Sequence, residues 1–287
     1  MRLFSKNIQS MPSPPYRVFF LTALAMLAFA GNSLLCRAAL RETNLDAASF
    51  TTFRLASGAL TLWLIVILRG GNGVRAGNWL SALALFVYAA GFSFAYISLP
   101  TGTGALLLFG AVQATMIFHG LWSGDRLRLW QWLGLLLALG GVTGLLLPGL
   151  SAPPLGGSLL MLAAGVAWAV YSLRGRGAGN ATAKTAGNFI RSLPFAVLLS
   201  LFFVDSFALD LPGVGYAVLS GALASGLGYA LWYAALPALK STTAATVQLS
   251  VPVLAAIAGV VLLGEDLSLR LIAASLAILG GIALVIR

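Results

Sequence analysis

The chain has one cysteine, one histidine and seven acidic residues in 287 positions. With Cys36 alone, no intramolecular disulfide is possible. One histidine and one cysteine assemble neither a metal cluster nor a nucleophile with its base, so no metal, cofactor or enzymatic activity is expected. Charge of either sign is scarce: 8% of residues are charged and 60% are hydrophobic. A soluble domain of this length has too little polar surface at that balance, so the chain reads as an integral membrane protein. The scarcity of acid has a further consequence. Glu42, Asp46, Asp125, Asp205, Asp210, Glu265 and Asp266 all fall in loops or at the edges of hydrophobic runs. Proton-coupled antiporters generally exchange a proton on a carboxylate inside the membrane. Downhill, uncoupled flux is therefore the expectation. A filter-like polar run and an appended signalling domain are also missing, which argues against a channel or a receptor.

What is present is a series of ten apolar runs, each near the roughly 20 residues needed to cross a bilayer. They span 18–38, 46–68, 78–98, 103–123, 129–148, 155–174, 184–204, 213–236, 242–263 and 268–286, numbered here one to ten. The runs are long and continuous, which favours helices over the period-two pattern of a barrel. A cleavable leader ending at Ala28-Phe29-Ala30 competes for the first run. Its apolar stretch continues to Cys36, however, and cleavage would leave unequal halves, so it is kept as a span. The net charge of +10 is distributed unevenly. Arg2, Lys6, Arg17, Arg69, Arg75, Arg126, Arg128, Arg174, Arg176, Lys184, Lys240 and Arg287 fall at one end of the spans, against Arg37, Arg41 and Arg270 at the other. This is the positive-inside pattern: it puts both termini in the cytoplasm and accounts for the basic charge without nucleic acid.

The two halves repeat. Arg54 recurs 137 residues later as Arg191, and Leu99-Pro100 as Leu236-Pro237 at the same offset. Gly124-Asp125-Arg126-Leu127 recurs as Gly264-Glu265-Asp266-Leu267, and Leu139-Gly140-Gly141 as Leu279-Gly280-Gly281, both at 140. Residues 1–149 and 150–287 are therefore read as two five-helix repeats. Five is odd, so the second must be inverted in the bilayer, with a solute site expected at the midplane between the copies. Two complete halves in one chain lead us to expect a functional monomer, with membrane lipid around it. Pro194 and Pro252 lie inside spans seven and nine and should kink them. Asp125 and Glu265 are expected to cap spans five and ten. Gly134, Gly140, Gly141 and Gly144 in span five and Gly221, Gly226 and Gly228 in span eight offer small packing surfaces.

These residues resemble the EamA-type carriers of the drug/metabolite transporter superfamily. The matching pieces are Gly31-Asn32-Ser33, Arg54, Leu99-Pro100 and the elements GDRLRL at 124–129 and GEDLSL at 264–269. Ala-Trp-Ala-Val-Tyr at 167–171 and the Leu-Gly-Gly endings fit as well. The likeness covers nearly the whole chain and is greatest to YddG-like amino-acid exporters. It implies an all-α membrane protein of ten helices in two inverted five-helix repeats, a bacterial inner-membrane location and alternating access. It also implies a central cavity framed by spans one, three, four, six, eight and nine. Val112 stands where the second copy has Pro252, so the halves differ there.

Aromatic spacing supplies most of the candidate site. Tyr88, Phe92 and Tyr96 share a face of span three, Trp168 and Tyr171 a face of span six, and Tyr229, Trp232 and Tyr233 a face of span eight. An apolar ring with a polar tip suits amphipathic solutes. Tyr88, Phe92, Trp168, Tyr171, Tyr229 and Trp232 are assigned to substrate binding. Tyr96 and Tyr233, near span ends, read as interfacial residues or gates. Asn32, Gln113 and Gln248 join the binding set, with hydrogen bonding between helices as the competing role for them and for Asn188. Arg54, Arg191, His119 and Pro252 are assigned to gating or structural polar roles. For the two arginines the choice is between tying backbone carbonyls and attracting a solute carboxylate. The expected solute is an amino acid or a similar zwitterion, with nucleosides and lipophilic compounds as the alternative classes.

Overall fold

The computed structural model describes residues 15–71, 76–124, 126–149, 152–175 and 179–286, with the side chains of Ser241 and Thr242 excepted. Asp125 and the centre of the glycine-rich connection between spans six and seven lie outside them. Among the described residues, ten helices are long and apolar enough to cross a membrane: Pro15–Glu42, Ala47–Leu68, Trp79–Tyr96, Thr101–Trp122, Leu129–Leu146, Leu155–Gly175, Ala181–Phe202, Leu211–Ala238, Thr243–Leu263 and Leu269–Ile286. Each matches one expected span to within a few residues, apart from a somewhat longer first helix.

The first N–H groups of a helix have no partner within it, and lipid supplies none. Polar residues at the span starts meet that need. Asp46 accepts from Ser49 N at 2.8 Å in span two, Asn78 from Ser81 N at 2.9 Å in span three and Asn180 from Ala183 N at 3.0 Å in span seven. Asp210 accepts from Gly213 N at 3.1 Å in span eight, and the Ser268 hydroxyl from Leu271 N at 3.1 Å in span ten. Glu265 departs from expectation. Its Oε2 accepts from Thr101 N at 2.8 Å and so caps span four, in the other half of the molecule. Ser268 already holds the start of span ten, which leaves the longer Glu265 side chain to reach across.

The major helix contacts cross between the halves. Spans three and six, four and six, and two and eight pack together. Exchanging the halves converts these pairs into eight with one, nine with one, and seven with three, which also pack. Spans two with seven, four with nine and five with ten map onto themselves. The two five-helix repeats are thus inverted and interleaved, without separate cores. At the seam of spans five and ten, Gly134 meets the Gly281 carbonyl and Gly141 meets Ala277 and Ile278. Gly140 and Gly144 face open space, so half of span five's glycines pack against no neighbour.

Two spans are irregular. Span eight runs as α-helix over Leu211–Leu219, π-helix over Ser220–Leu227 and α-helix over Gly228–Ala235. Span nine is split into Ser241–Gln248 and Ser250–Leu263. Pro252 lies in the first turn of the second piece, where its missing N–H falls at the break. Pro194 stays inside the uninterrupted helix Ala181–Phe202.

Candidate functional site

A cavity of about 450 Å³ lies between the halves, within the range of roughly 300–1,000 Å³ for small-molecule sites. It runs from the middle of the spans to the end that carries Arg174, Lys184 and Lys240, the basic end. Spans one, three, four, six, eight and nine all contribute wall residues. So does the start of span seven, through Lys184, Thr185 and Asn188. Span seven went unrecognised as wall because this polar run also reads as an ordinary helix entry at the interface. Phe29 and Ser225 are further wall residues that no spacing pattern singled out.

The structure brings the nine binding candidates together: Asn32, Tyr88, Phe92, Gln113, Trp168, Tyr171, Tyr229, Trp232 and Gln248 all line this cavity. Trp168 is its centre. It stacks on Tyr229 at 5.3 Å between centroids and on Tyr171 at 5.3 Å, and lies 4.8 Å from the tilted ring of Tyr88. Phe29 adds contacts to Tyr229 and Trp232. Rings from both halves therefore share one cluster, and offset or tilted pairs of this kind hold each other in place.

The four amides divide by role. Asn32 donates to the Tyr88 hydroxyl at 3.4 Å and accepts from Ser220 at 2.6 Å. Asn188 donates to the Tyr171 hydroxyl at 3.4 Å and accepts from Asn78 N at 2.9 Å. Gln113 and Gln248 line the cavity and make no hydrogen bond to another described residue. Their donors and acceptors are left to whatever fills the space. Among the described residues, no Asp or Glu lines the cavity.

The gating and polar candidates fall elsewhere. His119 is exposed on span four and 3.5 Å from the Ser123 hydroxyl. Arg191 is half-buried and donates to the carbonyls of Ala76 at 2.6 Å and Gly187 at 3.0 Å, the carbonyl-tying arrangement. Pro252 is buried at the break in span nine. Arg54 is 1% exposed and sits behind the wall. Its guanidinium lies 4.7 Å from the Phe92 ring centre and 5.2 Å from that of Tyr88. Tyr96 is fully buried, so it is no interfacial belt residue; its hydroxyl donates to the Thr101 carbonyl at 3.2 Å. Tyr233 lines the cavity and bonds Thr185 at 3.3 Å.

The opposite end is fastened shut. Arg37 of span one pairs with Glu265 at 3.3 Å and donates to the carbonyls of Tyr96 at 2.8 Å and Ile97 at 2.9 Å. Glu265 also holds Thr101 N, as above, and Arg41 donates to the Leu263 carbonyl at 3.0 Å. Spans one, three, four and nine thus converge on one charged knot. The cavity lining continues instead to Gly175, Ala181 and Lys184 at the basic end.

Comparison with known proteins agrees with this architecture. A solved crystal structure superimposes with a TM-score of 0.63 over 95% of this chain and 98% of the other, at 20% identity, a likeness of fold alone. An uncharacterised Pseudomonas aeruginosa protein is 61% identical over 95% of this chain and 96% of its own length. An uncharacterised transporter of Archaeoglobus fulgidus is 28% identical over 84% and 87%. A second transporter from that organism is 26% identical over 80% and 85%. The sequence pattern described as the EamA-like transporter family matches twice, over residues 17–147 and 155–287. Each match takes in five of the ten membrane-length helices, and the chain belongs to the EamA-like transporter family.

Proposed function

We propose that this membrane transporter exports amino acids, aromatic ones included, and related zwitterions from the cytoplasm across the bacterial inner membrane. This is the specificity of the YddG-like exporters that the sequence resembles. The observation that carries the reading is the cavity wall: a cluster of aromatic rings and, among the described residues, two amides without hydrogen-bond partners and no carboxylate. Rings hold an apolar side chain, and amides match amino and carboxyl groups alike. The Lys/Arg asymmetry turns the open end toward the cytoplasm, where an exported solute enters. Alternating access then consists of one repeat rocking against the other around the ring cluster. Because no carboxylate among the described residues lies in the cavity wall, the flux is downhill and uncoupled from protons.

Counterflow in proteoliposomes, with a panel of labelled amino acids, tests the reading. Saturable exchange of aromatic and aliphatic amino acids is expected, reduced at least about tenfold in Trp168→Ala, which removes the ring around which the cluster is built. Undiminished exchange in that variant overturns the site. Uphill transport driven by an imposed pH gradient overturns the uncoupled mechanism.

A further inference from the structure

Arg54 is a buried cation in the middle of a membrane protein, and no Asp or Glu among the described residues pairs with it. Among the described residues the ion pair is Arg37 with Glu265, remote from it in the closed end. The Arg54 Nη2 donates to the Tyr88 hydroxyl at 2.8 Å, while Nε and Nη1 are buried with no hydrogen-bond partner. A buried charge normally has both a partner and satisfied hydrogen bonds. The mate in the second half shows what a purely scaffolding arginine does here: Arg191 spends its guanidinium on two carbonyls. Arg54 occupies the corresponding place but meets two rings and one hydroxyl there, with no carbonyl to hold Nε or Nη1.

The Tyr88 hydroxyl carries that charge to the cavity. It accepts from Arg54 and from Asn32 Nδ2, and Ser220 orients the Asn32 amide by donating to its oxygen. With both lone pairs engaged, the phenolic hydrogen is left to donate, and Tyr88 lines the cavity. The Ser225 hydroxyl, also in the wall and buried, has no partner. The deep end of the cavity therefore offers donors next to a fixed positive charge, and no acid among the described residues lines it.

We infer that Tyr88, charged from behind by Arg54, is the anchor for a carboxylate on the transported solute. Resting on the carrier reading, this makes a carboxylate the obligatory group and the side chain the tolerated one. Tyr88 touches the solute. Arg54 is a positioning and electrostatic residue that acts through it. A hydrogen bond to a charged group discriminates by about 10- to 100-fold against a neutral isostere.

The test is competition against labelled tryptophan counterflow by unlabelled tryptophan, tryptophanamide and tryptamine. The same three compounds are also compared by thermal stabilisation of the purified protein. In the wild type, tryptophanamide and tryptamine compete at least tenfold more weakly than tryptophan. Tyr88→Phe and Arg54→Gln raise the KM for tryptophan by that factor and erase the difference between acid and amide, whereas Arg54→Lys keeps part of it. Tyr88→Phe retains the ring and guards against misfolding of the arginine variants. The inference is overturned if the amide competes as well as the acid in the wild type. It is also overturned if the variants lower the rate while preserving the acid-to-amide ratio, as they would if Arg54 only held an inorganic anion or the fold. If the wild type carries no amino acid, the amino-acid reading fails by itself. Thermal stabilisation by phenylacetate but not phenylacetamide, lost in Tyr88→Phe, then still supports the anchor, and equal stabilisation by both refutes it.

Discussion

At the scale of single residues, identical positions in the two repeats have taken different work. Arg54 and Arg191 are indistinguishable in the sequence, each about eight residues into an apolar run. Only packing separates them, because Arg191 finds carbonyls at a span entry and Arg54 finds rings. Close approach by span eight fixes the Arg54 backbone. Gly221 lies against the Arg54 carbonyl and the Ser57 hydroxyl, leaving no room for a Cβ. Gly221→Ala should therefore force spans two and eight apart, costing about 1–3 kcal/mol as overpacking does. Gly140→Ala, at an exposed helical site with open space around it, should be neutral or slightly stabilising because glycine is the poorer helix former. Thermal unfolding of the two variants in detergent checks this: a lower midpoint is expected for Gly221→Ala alone. Equal midpoints would mean that the contact with span two bears no load.

The elements show where reading by pattern succeeds and where it stops. Hydropathy located all ten crossings because each must present about 20 apolar residues to lipid, whatever its partners. The same uniformity hides irregular backbone. Nothing in Ser220–Leu227 announces a π-helix, and the break after Gln248 was legible only through Pro252. Ring spacing located residues of the cavity wall, since period 3.6 puts i, i+3 and i+4 on one face. Glu265 was misplaced for a physical reason. A carboxylate before a helix suits that helix's own first turn, and only the fold brings Thr101 and Arg37 within its reach. That reach makes Glu265 the clasp of the closed end. Glu265→Gln should keep an acceptor for Thr101 but lose the ion pair, and Glu265→Ala should lose both. The chain provides its own reporter, because Cys36 is its one cysteine, buried on span one next to Arg37. Maleimide labelling of Cys36 should accelerate several-fold in Glu265→Ala and less in Glu265→Gln. Unchanged labelling in both would show that the end stays shut without the clasp.

At the scale of the whole molecule, the repeat and the packing describe different things. The sequence is two consecutive copies around one expected central cavity, and the repeat alone does not say which span of one copy packs on which span of the other. In space, however, span two leans on seven and eight, three on six and seven, and five on ten, so apolar surface from one half is buried by the other. The core shows the same mixing, with Phe50, Leu62, Tyr88 and Phe92 in one cluster with Met161, Phe189 and Ile278. Inversion makes this workable: antiparallel copies bring span three beside six and span eight beside one, so each wall is built from both halves. A half on its own would leave the ring cluster without Trp168 and Tyr229 or without Tyr88, and would expose glycine seams such as Gly134 against Gly281. The halves should thus be complementary fragments rather than independent domains. Residues 1–149 and 150–287 expressed separately should each fail to give a monodisperse species in detergent. Co-expression should restore a complex of the full chain's size on gel filtration, with the cavity and its tryptophan counterflow recovered. A single half that purifies as a stable, cooperatively unfolding monomer would refute the interleaved core, because such a half would have to bury its apolar faces within itself.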